Sequence, residues 1–531
     1  MPNRRLFRTT TPQPAATARN NAGGRAYSMS NMHSLAQLAC TGVFNNTYYT
    51  KAEDQLKQAR ALCSKVSPTN VARIAVYARQ AGMMKDMPAF LLTYLFSLED
   101  KKYFNAAFPY VVNNIGQLRN FVQMVRSGVC GRRSLGSAGK RAISTMLNSM
   151  SPRRIFWQAT GKGMSFQDIL KLAHVRPQDA EHDSFFAYML GKAQEDDFQR
   201  LPENIQQFEL FKRGEYSGVP DVPFQRLTSL NLTTNQWKEV ARNMTWNQLR
   251  FNLNQLARKG VFTSDTALVR ELAGKLRNRE AVLRTKTLPF SLYNTIKHLD
   301  SNVPQALRNA MEDALEISAS NAPVLPGRTL VLVDSSGSMG SPVTGRQSYG
   351  TPSTTMKCVE AAGYFAVSIL KANPDSTVIL PFDSQVHPIR NMNPRDSMST
   401  LIHKLPTSGG ATAISSGIVW AQQQREAFDQ IIVVSDNESW ADRAYFGWGY
   451  DGRATSTKEA FEKYRRTKSR NCKMICINIQ PGLTAQAPDD RNTLNVGGLT
   501  DAVFKVAQQF LESRGQTHWE DTLSQVLPDL D

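Results

Sequence analysis

From about residue 28 to 320 apolar side chains recur at three- and four-residue spacing. KAEDQLKQARALCSK (51–65), TNVARIAVYARQAG (69–82) and MEDALEISAS (311–320) are representative, and short Gly, Pro or Ser punctuation separates such runs. This period puts one apolar stripe on each helix, and many helices of about three or four turns joined by short loops predict stacked pairs of solenoid type. No fixed-period identity links the units, so degenerate HEAT-like repeats describe them. Beyond NAPVLPGR (321–328), where two prolines and a glycine mark a linker, the period changes. The apolar runs TLVLVD (329–334), TVILPFD (377–383), QIIVVSD (430–436) and CKMICINI (472–479) alternate with helical patterns such as KCVEAAGYFAVSILKA (357–372), TKEAFEKYRRTK (457–468) and DAVFKVAQQFLES (501–513). Strands apolar on both faces, alternating with helices, predict a parallel sheet covered on both sides. The expected fold class is multidomain: an all-α HEAT-like repeat array, then an α/β doubly wound domain.

The boundaries follow composition. Residues 1–20 are rich in Pro, Thr and Arg with almost nothing to bury, and read as a mobile basic tail. Residues 21–325 form the helical domain and 326–531 the α/β domain. The chain has 531 residues, 41% of them hydrophobic, enough for several cores, and a net charge of +18. Residues 1–325 hold 43 basic and 24 acidic side chains, whereas 326–531 hold 20 and 21, so the excess lies wholly in the helical part. A phosphate-rich partner is the natural reading, because each neutralised phosphate releases condensed counterions. The six cysteines include no C-x-x-C pair, which disfavours a disulfide framework or thiolate zinc site and favours a reducing compartment. No apolar run approaches the ~18 residues that span a bilayer, so no membrane partner is expected and the protein reads as cytoplasmic.

Ligands of a doubly wound sheet bind beyond the carboxyl ends of its strands. Asp334-Ser335-Ser336-Gly337-Ser338 follows the first strand, Thr407-Ser408-Gly409-Gly410-Ala411-Thr412 precedes a helix, and Asp436-Asn437-Glu438-Ser439 follows the third strand. Asp334, Ser336, Ser338, Thr412 and Asp436 can converge as five oxygen donors with no imidazole or thiolate, which suits Mg²⁺ or Mn²⁺ and disfavours zinc. This D-x-S-x-S with a distant Thr and Asp resembles the metal-ion-dependent adhesion site of the von Willebrand factor A family. The resemblance implies direct ligation by the hydroxyls, aspartates acting largely through water, and an acidic group of a partner in the remaining position. No catalytic constellation is apparent. Gly136-Ser137-Ala138-Gly139-Lys140 fails as a P-loop, since Ser134 stands where the first glycine belongs and Arg141 replaces the final Ser or Thr.

In the helical domain, Ser165-Phe166-Gln167-Asp168 has the form of a capping box, and Val175-Arg176-Pro177 is a stop. Phe166, Ile169, Leu170 and Ala173 share one face, while Gln167, Lys171 and His174 share a flank that can meet RNA. Lys162 and Arg176 extend that positive strip. A histidine packed beside the core is the competing reading of His174. A second cluster, Arg132, Arg133, Lys140 and Arg141, can bind phosphate through side chains and a helix N-terminus, or be a solvated helix start. Tyr445, Phe446, Trp448 and Tyr450, in the loop 440–456, offer rings for stacking bases or for covering the metal face.

NNAGGRAYSMSNMHSLAQLACTGVFNNTYY (20–49) resembles the start of the TROVE module of the Ro autoantigen family, and GMSFQDILKLAHVRP (163–177) is similar to that family's G-W-S-x-x-D-L-L-R-L-S-H-L-K-P segment. With GRRSLGSAGKRA between them and the von Willebrand A-like domain behind, the resemblance spans nearly the whole chain. It implies a ring of HEAT-like repeats clasped by that domain, and assigns Lys171, His174 and Arg176 to RNA contact. It implies three partners: a small noncoding Y RNA, misfolded or precursor RNA with single-stranded ends, and, in bacterial members, a tethered exoribonuclease. The function expected is a nonenzymatic ribonucleoprotein scaffold in RNA quality control or maturation. Two rivals stand beside it: a protein-interaction scaffold using the adhesion-type site, and a metal-dependent nuclease.

Overall fold

A computed structural model describes residues 15–161, 163–285, 289–346, 356–406, 409–441, 454–500, 502–513 and 518–530. Its first half is helical. Helices Pro68–Gln80, Lys102–Val111 and Gly136–Asn148 stack in one layer, and Asp86–Ser97, Ile115–Ser127 and Phe166–Ala173 in the other. Starts are set locally: the Ser67 hydroxyl accepts from the Asn70 N–H at 3.3 Å, and Pro68, which has no N–H to leave unpaired, opens the helix. Between the layers, Phe96, Phe104, Phe108 and Phe121 pack at ring-centroid distances of 4.8 to 5.7 Å.

The strands are β1 (Ala18–Arg19), β2 (Arg25–Ser28), β3 (Thr329–Asp334), β4 (Thr377–Phe382), β5 (Gln430–Ser435), β6 (Lys473–Asn478), β7 (Thr484–Ala485) and β8 (Thr493–Gly497). Five form one sheet in the order β4-β3-β5-β6-β8, every neighbouring pair parallel. The runs at 329, 377, 430 and 472 are four of these strands. β8 was not expected, because TLNVG carries Asn and Gly and lacks the apolar signature. Alternate side chains separate the two faces. Leu330, Leu332, Ile431, Val433, Met474 and Cys476 pack with Ile414, Ile418, Phe461 and Tyr464. Val331, Val333, Ile432, Val434, Ile475 and Ile477 face the other way, into a core continuous with that of the helical domain.

Helices from both ends of the array dock on this domain. At the front, β2 pairs antiparallel with β7, Gln37 Nε2 donates to the Gly482 carbonyl at 2.9 Å, and Thr500 Oγ1 donates to the Ala81 carbonyl at 2.8 Å. His33 Nδ1 lies 3.0 Å from an Asp489 carboxylate oxygen. At the back, Lys297 Nζ meets the Glu360 carboxylate at 2.7 Å, Tyr293 and His403 bond at 2.8 Å, and the Met398 N–H donates to Glu316 at 2.6 Å. The helical array therefore leaves and returns to one domain, which closes it into a ring. Among the described residues no helix is long and apolar enough to cross a membrane.

The N-terminus departs from the tail reading of residues 1–20. Residues 1–14 lie outside the described residues, but β1 pairs with β2, and Ala16 and Asn20 are buried. The anchor is polar, which a search for apolar runs cannot see: Asn20 Oδ1 accepts from the Gly24 N–H at 2.7 Å, and its Nδ2 donates to the Ser439 carbonyl at 2.8 Å. Residues 18–28 are thus built onto the C-terminal domain.

Phe104 is fully buried and contacts three other phenylalanine rings. Phe104→Ala should lower unfolding stability by about 3–5 kcal/mol in urea titration; a loss below about 1 kcal/mol would show that the interlayer cluster is not what holds these repeats.

Candidate cation site and nucleic-acid interface

In the strand order β4-β3-β5-β6-β8 the direction of winding reverses between β3 and β5, and the crevice beyond their carboxyl ends is where such sheets bind ligands. Asp334 is the last residue of β3, and Asp436 follows β5 directly. The third loop is drawn in by backbone bonds: the Gly337 N–H donates to the Gly410 carbonyl at 3.0 Å and the Gly409 N–H to the Ser335 carbonyl at 2.9 Å. Asp334, Ser336, Ser338, Thr412 and Asp436 are all buried here. Thr407 and Ser408 lie outside the described residues.

The donors are individually oriented. Asp334 Oδ1 accepts from the Ser336 N–H at 2.8 Å and Oδ2 from the Ser435 hydroxyl at 2.5 Å. The Ser336 and Ser338 hydroxyl oxygens are 3.2 Å apart. Asp436 Oδ1 accepts from the Glu438 N–H at 3.2 Å, whereas its Oδ2 is buried without a hydrogen-bond partner. A buried, unpartnered carboxylate oxygen beside two hydroxyls is what a hard cation would satisfy. Among the described residues no three His, Cys, Asp or Glu side chains group as a metal cluster, so a cation here relies on the hydroxyls.

Burial pushes the Asp334 and Asp436 carboxyls upward, and for Asp334 the neighbouring Asp436 charge adds to it. Glu438 is pushed up to about 8 by burial and by Asp436. The sequence reading named Glu438 within its motif but gave it no role. Its oxygens accept from the Asn21 N–H at 2.6 Å, Asn21 Nδ2 at 2.7 Å and the Ala22 N–H at 3.3 Å. Trp440 is half exposed beside this loop, while Tyr445, Phe446, Trp448 and Tyr450 lie outside the described residues.

The two basic clusters of the helical domain are divided differently from their order in sequence. The Ser165 hydroxyl caps helix Phe166–Ala173 by accepting from the Asp168 N–H at 3.0 Å, and the helix ends at His174, whose φ of 49° is left-handed. His174 is exposed, so the core reading of this residue fails. Lys171 and His174 line an open recess of about 610 Å³ with Arg126, Lys140 and the first turn of helix Gly136–Asn148. That first turn has no side-chain cap, and Leu135, Gly136 and Ser137 are among the lining residues, which brings the positive end of the helix dipole to the recess. Arg126 carried no sequence signal beyond its place in the last turn of helix Ile115–Ser127.

The other candidates are not among the residues that line the recess. Arg132 lies over the Phe96 ring at 4.6 Å, and its Nε donates to the Ser134 carbonyl at 3.1 Å. Arg133 is exposed, and its carbonyl accepts from Arg126 at 3.5 Å. Arg141, one residue beyond Lys140, turns to a second recess shared with Arg154. Arg176 is exposed, and its carbonyl accepts from Asn148 Nδ2 at 2.9 Å. Lys162 lies outside the described residues.

Fold and site together define a class: a closed helical-repeat array clasped by a von Willebrand A-like domain with a cluster of oxygen donors at its strand ends. Residues 328–511 match the family model of the Ro60 vWA domain. The chain is 25% identical to the RNA-binding protein RO60 of Deinococcus radiodurans, with 94% of this chain and 95% of that one covered. The crystal structure of the Deinococcus radiodurans RO (RSR) protein superposes with a TM-score of 0.59 at 20% identity, covering 91% of this chain and 100% of that one. The C-terminal domain thus matches the Ro60 vWA model, and the likeness to a Ro protein runs over nearly the whole chain.

A buried carboxyl with a raised pKa holds its proton more tightly folded than unfolded, so its stabilising contribution is present at low pH and is lost as pH rises through the raised value. In metal-free buffer the melting temperature should fall between the ordinary carboxyl value of 4.5 and about 8, the window of Glu438. A divalent ion held by Asp334 and Asp436 would compete with their protons, so added Mg²⁺ should restore more at the top of that window than at the bottom. An equal Mg²⁺ effect at both ends in a thermal melt would rule out these carboxyls as the titrating groups.

Proposed function

We propose that the chain is a nonenzymatic RNA-binding scaffold of a ribonucleoprotein acting in RNA quality control or maturation in the cytoplasm. The observation that carries this is the convergence of Arg126, Lys140, Lys171, His174 and an uncapped helix N-terminus on one recess without a carboxylate in its lining. Backbone N–H groups and cations together bind phosphate without regard to base sequence, and an open recess admits a structured RNA. The basic excess of residues 1–325 and the RNA-binding name of the Deinococcus relative support the same reading. A small noncoding Y RNA is the partner proposed for this recess, and misfolded or precursor RNA with single-stranded ends for the ring. An exoribonuclease is proposed to join through the Y RNA. Mg²⁺ or Mn²⁺ is proposed to sit on Ser336, Ser338 and Thr412, with Asp334 and Asp436 balancing its charge.

A Lys140→Glu/Lys171→Glu protein should bind structured RNA more weakly, and the slope of log affinity against log salt should become shallower by about 1 per lost phosphate contact. Fluorescence anisotropy over a salt series reads both. Unchanged affinity and slope would remove this recess from the RNA interface. The nuclease rival is tested by incubating labelled RNA with Mn²⁺: cleavage that Asp436→Ala abolishes would overturn the nonenzymatic reading.

A further inference from the structure

The loop Asp436–Ser439 supplies the proposed cation site on one side and holds the N-terminal segment on the other. Glu438 receives three hydrogen bonds from Asn21 and Ala22, and the Ser439 carbonyl receives Asn20 Nδ2. Gly24 lies so close to the Ser439 carbonyl that a Cβ there would overlap it. Asn437, held at a left-handed φ of 64°, donates from Nδ2 to the Thr484 carbonyl of β7 at 3.1 Å, and β7 is the strand that pairs with β2. A second piece of the helical domain reaches the other motif loop. The Asn46 and Arg346 backbones exchange two hydrogen bonds of 2.8 Å, Asn45 Nδ2 donates to the Thr344 carbonyl at 2.8 Å, and half-buried Tyr49 lies beside Ser338 and Asp436.

We propose that the cation site is the latch of the ring. The position that an outside acidic partner would take is held by Tyr49 of the same chain, and occupancy of the site by a divalent ion is thermodynamically linked to the seating of residues 20–24 on Glu438 and Ser439. The inference rests on the cation reading above. The same short loop must satisfy both contacts: any ion that fixes Asp436 and Ser338 fixes the backbone on which the N-terminal turn and Tyr49 rest. Linkage is reciprocal, so loosening the turn must weaken the ion. An adhesion-type site so arranged reports on closure of its own ring.

The test uses the full chain with Mn²⁺ as the probe, bound and free ion being distinguished by electron paramagnetic resonance. Hydrogen exchange of amides 20–28 reads the turn. Mn²⁺ should slow exchange of those amides in the wild type. Gly24→Val, which forces the turn off Ser439, should weaken Mn²⁺ by about fivefold or more, the lower end of ordinary coupling between sites. Tyr49→Phe, which removes one hydroxyl and is the milder change, should let acetate alter the Mn²⁺ spectrum, whereas acetate should leave the wild-type spectrum unchanged. If Mn²⁺ binds all three proteins equally and leaves the amides unprotected, the latch is overturned and the cation site stands. If the wild type binds no Mn²⁺, the cation reading falls and the latch with it.

Discussion

The constraint on which the rest depends is the apolar face of the parallel sheet formed by Val331, Val333, Ile432, Val434, Ile475 and Ile477. A strand's side chains alternate between faces, so one set of strands must cover two cores at once. The opposite face is closed by helices of its own domain. This face shares a continuous buried core with the repeats, which makes the C-terminal domain part of the ring rather than an appendage on a linker. The polar bonds at the two junctions add direction to that association. At surface pairs such as Lys297 with Glu360 they add little energy, since solvent screens them.

Because the sheet is fixed against the array, so are the loops at its carboxyl edge. Asp334 and Asp436 come from adjacent strands, Tyr49 lies beside Asp436, and Asn21 bonds Glu438 two residues on. The cost is visible in the carboxyls, which burial drives toward their neutral forms. On the helical side, a shift of one residue along helix Gly136–Asn148 turns a side chain through about 100°. That separates Lys140, which joins Lys171 and His174, from Arg141, which joins Arg154.

Much of this was legible in the sequence where physics repeats itself. The apolar runs ending in Asp334 and just before Asp436 fixed both strands and their carboxyl ends, so the oxygen donors could be named in advance. The stripe Phe166, Ile169, Leu170, Ala173 placed Lys171 and His174 outward, although only the family resemblance favoured His174 as a contact. What stayed hidden depends on single polar groups meeting across long sequence separations. Asn20 looks like the end of a tail and Asn21 like the start of the helical domain until Ser439 and Glu438 are beside them, and Arg126 looks like any basic residue at a helix end until the start of helix Gly136–Asn148 lines the same recess. β8 escaped because the sheet buries TLNVG by position, not by its own hydrophobicity.

Repeat arrays ordinarily gain and lose units freely, since each unit touches only its neighbours and the ends are open. Here the first and last helices are both pinned to one rigid body, so the circumference is a fixed integer. An inserted or deleted helix pair would leave one end without its seat, so a change that keeps the closure falls on the side chains that line the ring and not on the number of its segments.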